Sequence, residues 1–257
     1  MHLVDTHCHL DMIEAEPGEV VAAAAAAGVA TLVTVGTDLP SSEVAVELAS
    51  RFEGVFAAVA VHPNSASGFD ARALERLRDL ASRPKVVAIG ETGLDYHREH
   101  APREAQQSAF RAHIALAKET GKALAIHSRD AHADVLAILA QEGAPDRVVL
   151  HCFSGDAELA RRCVDLGYYL SFAGNITFSN AGKLREAAAA VALERVLLET
   201  DAPFLSPHPL RGKENKPERV VAVAEEIARL SGRAVDEVAE VTSATARLVF
   251  GLASGSG

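Results

Sequence analysis

The sequence predicts a (β/α)8, TIM-type barrel with one extra C-terminal helix. Three observations carry that reading. Short apolar, often β-branched runs alternate with stretches of helical apolar spacing along the chain. Histidines and acids gather just past the C-terminal ends of those runs, the face on which barrels of this class carry reactive side chains. The glycine-rich turn that an open, doubly wound sheet places after an early strand is missing.

Taken in order, the strand-like runs are residues 3–5, 30–35, 55–61, 86–89, 124–126, 148–150, 168–171 and 196–198. Helical spacing marks residues 43–49, 71–80, 104–119, 134–140 and 158–166 between them. Pro102 opens one helix, and Asp130 and Asp156 are expected N-caps because their carboxylates can accept from free amides of the first turn. Gly28, Gly121, Gly143 and Gly167 follow helix-like runs, where a left-handed residue closes the last turn. Residues 220–230 are expected to form the eighth helix of the barrel and 235–250 the additional one. Residues 1–252 are thus expected to form one barrel domain and 253–257 a flexible tail.

Composition bounds function only loosely. Hydrophobic residues make up 49% of the 257 and aromatics 5%, with no Trp, so the expected core is aliphatic. The formal net charge of -10 argues against broad coating of nucleic acid through its phosphates. It leaves room for a small metal-lined pocket that admits one strand end, since cations bring their own positive charge. Cys8, Cys152 and Cys163 form no CxxC pair and fit a reducing compartment. No signal peptide is evident, and the apolar stretch 20–27 is far too short to span a bilayer. A cytoplasmic protein, monomeric and with no membrane association, is expected.

The chemistry lies in the strand-end residues. His7 and His9 alternate in Asp5-Thr6-His7-Cys8-His9-Leu10, so in extended chain both face the same way and can bind one ion, with Cys8 turned into the wall. Glu91, in Gly90-Glu91-Thr92-Gly93-Leu94-Asp95, has two oxygens and can bridge two cations, and the flanking glycines would let backbone pass close to the ions. His127 and His151 open two further strand-end segments, and Asp201 lies in Glu199-Thr200-Asp201-Ala202-Pro203. Four imidazoles and two carboxylates suit Zn²⁺ or Mn²⁺ and accept Mg²⁺, and the donor set does not choose among them. Two divalent ions per chain are expected, with Glu91 and Asp201 as the catalytic carboxylates and Asp201 as general base. Glu199 is either an orienting partner of a ligand or a buried strut. His62 also ends a strand and reads as a substrate contact, a further ligand or a structural residue. Arg129 and Arg211 are candidate phosphate clamps; Arg129 can equally pair with Asp130 or another acid, and Arg211 can belong to a merely solvated loop.

These motifs, with Ile126-His127-Ser128-Arg129-Asp130-Ala131, His151-Cys152-Phe153-Ser154-Gly155, Gly174-Asn175-Ile176-Thr177-Phe178 and Arg211-Gly212-Lys213-Glu214-Asn215, run in order along the chain. Together they resemble the TatD family of metal-dependent deoxyribonucleases, within the amidohydrolase-like barrels. The resemblance implies a barrel, two metals sharing Glu91, and phosphodiester hydrolysis, commonly as a 3′-to-5′ exonuclease on DNA ends supported by Mg²⁺. Lys216, Thr245 and Ala123 depart from the residues usual in that family, and none is an expected ligand. One rival is an amidohydrolase acting on a lactone, cyclic amide or phosphotriester; many such barrels bridge their metals with a carboxylated lysine where this chain has Glu91. The other is a non-enzymatic metal-binding repair partner, against which the complete ligand set counts.

Overall fold

The computed structural model describes residues 2–98 and 100–252; the expected tail, 253–257, lies outside the described residues. In chain order the main elements are β1 (Leu3–Cys8), α1 (Pro17–Ala26), β2 (Val29–Val35), α2 (Leu39–Arg51), β3 (Val55–Val59), α3 (Ala71–Ala81), β4 (Val86–Asp95) and α4 (Arg103–Thr120). They continue with β5 (Ala123–Arg129), α5 (His132–Glu142), β6 (Val148–Leu150), α6 (Ala157–Asp165), β7 (Tyr169–Phe172), α7 (Gly182–Ala189), β8 (Val196–Leu198), α8 (Val220–Ser231) and α9 (Val235–Phe250). The strands stand in sequence order in one eight-stranded sheet. This is the (β/α)8 arrangement, with α9 as the extra helix. No described helix is long and apolar enough to cross a membrane.

The chain clusters into two compact units: the residues up to Thr34 together with those from Cys152 onward, and Val35–His151. In the first, β1 is buried along its whole length although only its first two residues are aliphatic. The polar remainder is tolerated because it is hydrogen-bonded. Thr6 Oγ1 donates to the Leu198 carbonyl (3.0 Å), and Cys8 Sγ faces the Val33 carbonyl at 3.6 Å. Cys8 also pairs in parallel with Ala202, joining β1 to the segment that follows β8. The α9 helix packs on β1 and β8, and Thr245 on it donates to the Val241 carbonyl (3.0 Å).

In the second unit β4 is the longest strand, ten residues and all buried. It pairs Ile89 with Leu124 and then Thr92 with Ile126, three steps on β4 against two on β5. The extra residue is a bulge at Gly90-Glu91, a device that re-aims a side chain while pairing continues on either side. Pairing then runs on to Asp95 with Arg129. Strands β1, β4 and β5 therefore extend past the apolar runs that marked them, and His7, Glu91 and His127 lie within strands rather than just beyond them.

The caps divide. Asp156 accepts from the Leu159 amide (2.9 Å), as expected. Asp130 does not cap α5: Ala131 holds that position without a side-chain bond. Asp130 instead adopts φ 53°, and its carboxylate meets His97 Nδ1 at 3.2 Å. The α2 helix begins four residues before its apolar spacing, because Asp38 and Ser41 form a reciprocal capping box ahead of it.

Candidate metal centres

Among the described residues, each unit holds a cluster of ligand-type side chains. In the first, His7 and His9 leave the end of β1 with their rings 5.1 Å apart at 77°. Their Nε2 atoms lie 3.9 and 3.6 Å from Asp201 Oδ1. Both histidines are buried and Asp201 is partly open. Backbone bonds lock the two segments together: Asp201 donates to the His7 carbonyl (2.9 Å) and His9 to the Ala202 carbonyl (2.7 Å). Beneath them the buried Asp5 accepts from the Thr200 amide (2.9 Å), the Thr200 hydroxyl (2.6 Å) and the His7 amide (3.2 Å). Burial pushes the Asp5 carboxyl up to about 8, against the pull of those donors. Phe204, half exposed, sets its ring edge-on to His9 at 6.1 Å.

The second cluster centres on Glu91. Its Oε1 lies 2.7 Å from His127 Nδ1, 2.9 Å from His151 Nε2 and 3.4 Å from His62 Nε2. Burial alone would raise this carboxyl. The His151 and His62 imidazoles and the bond from His127 outweigh burial and hold it well below the usual carboxylate range. Asp95 stands behind His127, with Oδ2 at 3.3 Å from Nε2. Asp95 also accepts from the His97 and Arg98 amides (3.0 and 2.9 Å) and from Asn64 Nδ2 (3.1 Å). Burial lowers His62, whose Nδ1 accepts from the Asn64 amide (3.1 Å), leaving Nε2 toward Glu91.

Both clusters fit divalent cations. In the sets His7–His9–Asp201 and His62–Glu91–His127, one ligand atom from each residue lies within 4.8 Å of the others. Three imidazole nitrogens around one buried, ionised carboxylate oxygen is a donor set that a cation completes and that protons alone satisfy poorly. His62 stands among these candidate ligand atoms, with Nε2 3.4 Å from Glu91 Oε1.

Other expectations resolve individually. Glu199 is fully buried and accepts from the Ser171 hydroxyl, whose oxygen in turn accepts from the Cys152 amide (3.2 Å). Arg129 is exposed at the end of β5, and the neighbouring Asp130 carboxylate meets His97 Nδ1. Arg211 lies with its guanidinium over the Phe178 ring at 4.5 Å, so it is not merely solvated. The glycines beside Glu91 serve strand packing: a Cβ on Gly90 would meet Ala125 Cβ at 2.6 Å, and one on Gly93 the His127 carbonyl at 2.1 Å. Sequence reasoning gave Asp95 no role of its own, although it closes a quoted motif. It also passed over Gln106 and Asn215, polar residues whose complete burial leaves no trace in periodicity.

Comparison with known proteins points to one family. The profile of the family described as TatD related DNase matches residues 4–251. A Bacillus subtilis protein called uncharacterized metal-dependent hydrolase YabD is 43% identical, the match covering 96% of this chain and 98% of its own. A Klebsiella pneumoniae protein called 3′-5′ ssDNA/RNA exonuclease TatD is 38% identical, with 91% of each chain covered. Among solved structures, the TatD homolog YjjV of Escherichia coli superposes with a TM-score of 0.92 at 31% identity over 98% of both chains. On its motifs, its fold and these matches, the chain belongs to the TatD-related DNase family.

Proposed function

We propose that this chain is a divalent-metal-dependent phosphodiesterase that removes nucleotides from the 3′ ends of single-stranded nucleic acid. The observation that carries the reading is Glu91 Oε1 with three imidazole nitrogens 2.7–3.4 Å away, a buried anionic donor set built for a cation. The name of the Klebsiella relative supports the bond type, the direction and the inclusion of RNA beside DNA. We assign two ions per chain, one to His7, His9 and Asp201 and one to Glu91, His127 and His151 with His62. Mg²⁺ is the ion we expect in use, with Mn²⁺ or Zn²⁺ accepted. Such ions lower the pKa of water and offset charge on phosphoryl oxygens.

The chain's own residues do the rest. Asp201, the partly open carboxylate of its cluster, accepts the proton of the attacking water. The water oxygen bonds to phosphorus, and the bond from phosphorus to the neighbouring nucleoside's 3′-oxygen breaks. The departing 3′-oxygen takes a proton from solvent, so that a nucleoside 5′-monophosphate leaves and the shortened strand keeps a 3′-hydroxyl. Glu91 holds its anionic charge in the cluster throughout. Arg129, exposed beside the His127 cluster, and Arg211, whose N–H edge stays open when its face lies on Phe178, are assigned to backbone phosphates.

The test is a metal panel with end-labelled single- and double-stranded DNA and RNA. Mg²⁺ or Mn²⁺ should give stepwise shortening of single strands from the 3′ end, and EDTA should stop it. Glu91→Ala should lose bound metal and activity together, and Asp201→Asn should lower kcat by about 10²- to 10⁴-fold. Intact strands under every metal, with turnover of a lactone or dihydropyrimidine, would replace this reading with the amidohydrolase one.

A further inference from the structure

The α4 helix carries two completely buried polar side chains, Gln106 and His113, seven residues apart and so on one face. A buried polar group is costly unless bonded, and each of the two bonds the backbone of a segment that leads to the Glu91 cluster. Gln106 Oε1 accepts from the Asp95 amide (2.8 Å), and its Nε2 donates to the carbonyls of Asp95 (3.1 Å) and Ala101 (2.9 Å). The side-chain amide thus grips Asp95 from both sides like an added strand. His113 pairs through Nδ1 with the Ala109 carbonyl (2.6 Å) and through Nε2 with the Val61 amide (3.1 Å). That arrangement fixes Nδ1 as the donor and Nε2 as the acceptor, and burial keeps the ring neutral by pushing its pKa down to about 4.

Val61 precedes His62, and Asp95 backs His127. Asn64 ties the two segments, giving its amide to His62 Nδ1 and its side chain to Asp95. We propose that Gln106 and His113 are positioning residues: the buried face of α4 sets His62 and Asp95, and through them the cation affinity of the Glu91 cluster, without touching the ion. The proposal rests on reading that cluster as a cation site. Partners that orient a ligand without binding the ion typically change metal affinity by about ten- to a hundredfold.

The experiment titrates the metal-free full-length protein with Mn²⁺, following binding by electron paramagnetic resonance and stability by urea unfolding. Glu91→Ala and Asp201→Ala assign the two binding events to their clusters. Gln106→Leu and His113→Leu should weaken the Glu91-assigned event by about ten- to a hundredfold and leave the Asp201-assigned event unchanged. His113→Gln, whose side-chain oxygen can reach the Val61 amide, should recover most of that affinity. Should a leucine variant fail to fold, Gln106→Glu, which keeps the acceptor but loses both donations, takes its place with the same expected selective loss.

General destabilisation without selectivity, with both events weakened alike or neither changed, overturns the positioning role. A wild-type titration with no event that Glu91→Ala removes overturns the cation reading of the cluster, and the proposal with it. The two failures differ in which protein shows them.

Discussion

Asn215 shows how one side chain that is not itself a candidate ligand can decide where Asp201 stands. It is fully buried in a loop, donates from Nδ2 to the Thr200 carbonyl (2.9 Å) and accepts from the Lys216 amide through Oδ1 (2.9 Å). Its own amide donates to the Pro203 carbonyl (2.9 Å), so the residue brackets Asp201 from both sides along the chain. Asn215→Ala removes two side-chain bonds and leaves a carbonyl and an amide without them, and each such loss costs about 1–3 kcal/mol when the group stays dry. A drop in unfolding free energy of about 2 kcal/mol or more is expected in urea melts, with a weakened Asp201-assigned Mn²⁺ event. A variant as stable as wild type would show that water enters and replaces both bonds. The sequence displayed Asn215 as the end of a basic loop, and the loop's composition pointed outward. Its burial follows from tertiary closure over Thr200, which no local pattern encodes.

At the scale of the element, β4 determines how the Glu91 cluster is built. Its bulge presents Glu91, and Gly93 then lets β4 run against the His127 carbonyl at φ 132°, a region side chains rarely adopt. Gly93→Ala would set a methyl 2.1 Å from that carbonyl, so β4 or β5 must shift. Strain of this kind costs about 1–3 kcal/mol before the clash is counted. We expect a stability loss of at least about 2 kcal/mol in thermal or urea unfolding, together with weaker binding at the Glu91 cluster, because β5 carries His127. Unchanged stability would mean that the strands are looser than their pairing indicates.

The same element shows what the sequence could and could not disclose. Alternation of apolar runs with helices gave the strand order, and the strand-end residues gave Glu91, His127 and His62 their places. The apolar run stops at Ile89, however, while backbone pairing continues through polar residues to Asp95. Hydrophobic pattern reports burial against apolar neighbours; it is silent where a strand is buried by hydrogen bonds among polar side chains. For that reason the histidines and Glu91 were legible as residue types at a strand end, while Asp95 and Gln106, which brace them, were not.

For the whole molecule, the residues that fold it and those expected to bind cations are both buried ionisable groups, so acid stability is a sum of opposing terms. His113 titrates at about 4 in the folded protein against an ordinary 6.5. A depressed histidine favours the unfolded chain once that chain begins to take up the proton. Its cost is absent above pH 6.5, grows as pH falls toward 4, and levels off below. The gap of two to three units amounts to about 3 kcal/mol. Asp5 runs the other way: with a folded value of about 8 against 3.8, its contribution is complete at low pH and is lost as pH rises through 8. Between pH 4 and 6.5 the two nearly offset, so a wild-type profile alone hides both. His113→Leu removes one of them. In metal-free protein the variant should be less stable than wild type at pH 7.5, because the Val61 amide loses its acceptor. That deficit should shrink on acidification at up to about 1.4 kcal/mol per pH unit between 6.5 and 4. Urea unfolding of both proteins across that range measures the difference directly. Parallel curves would mean that His113 takes up its proton in the folded chain at its ordinary pKa.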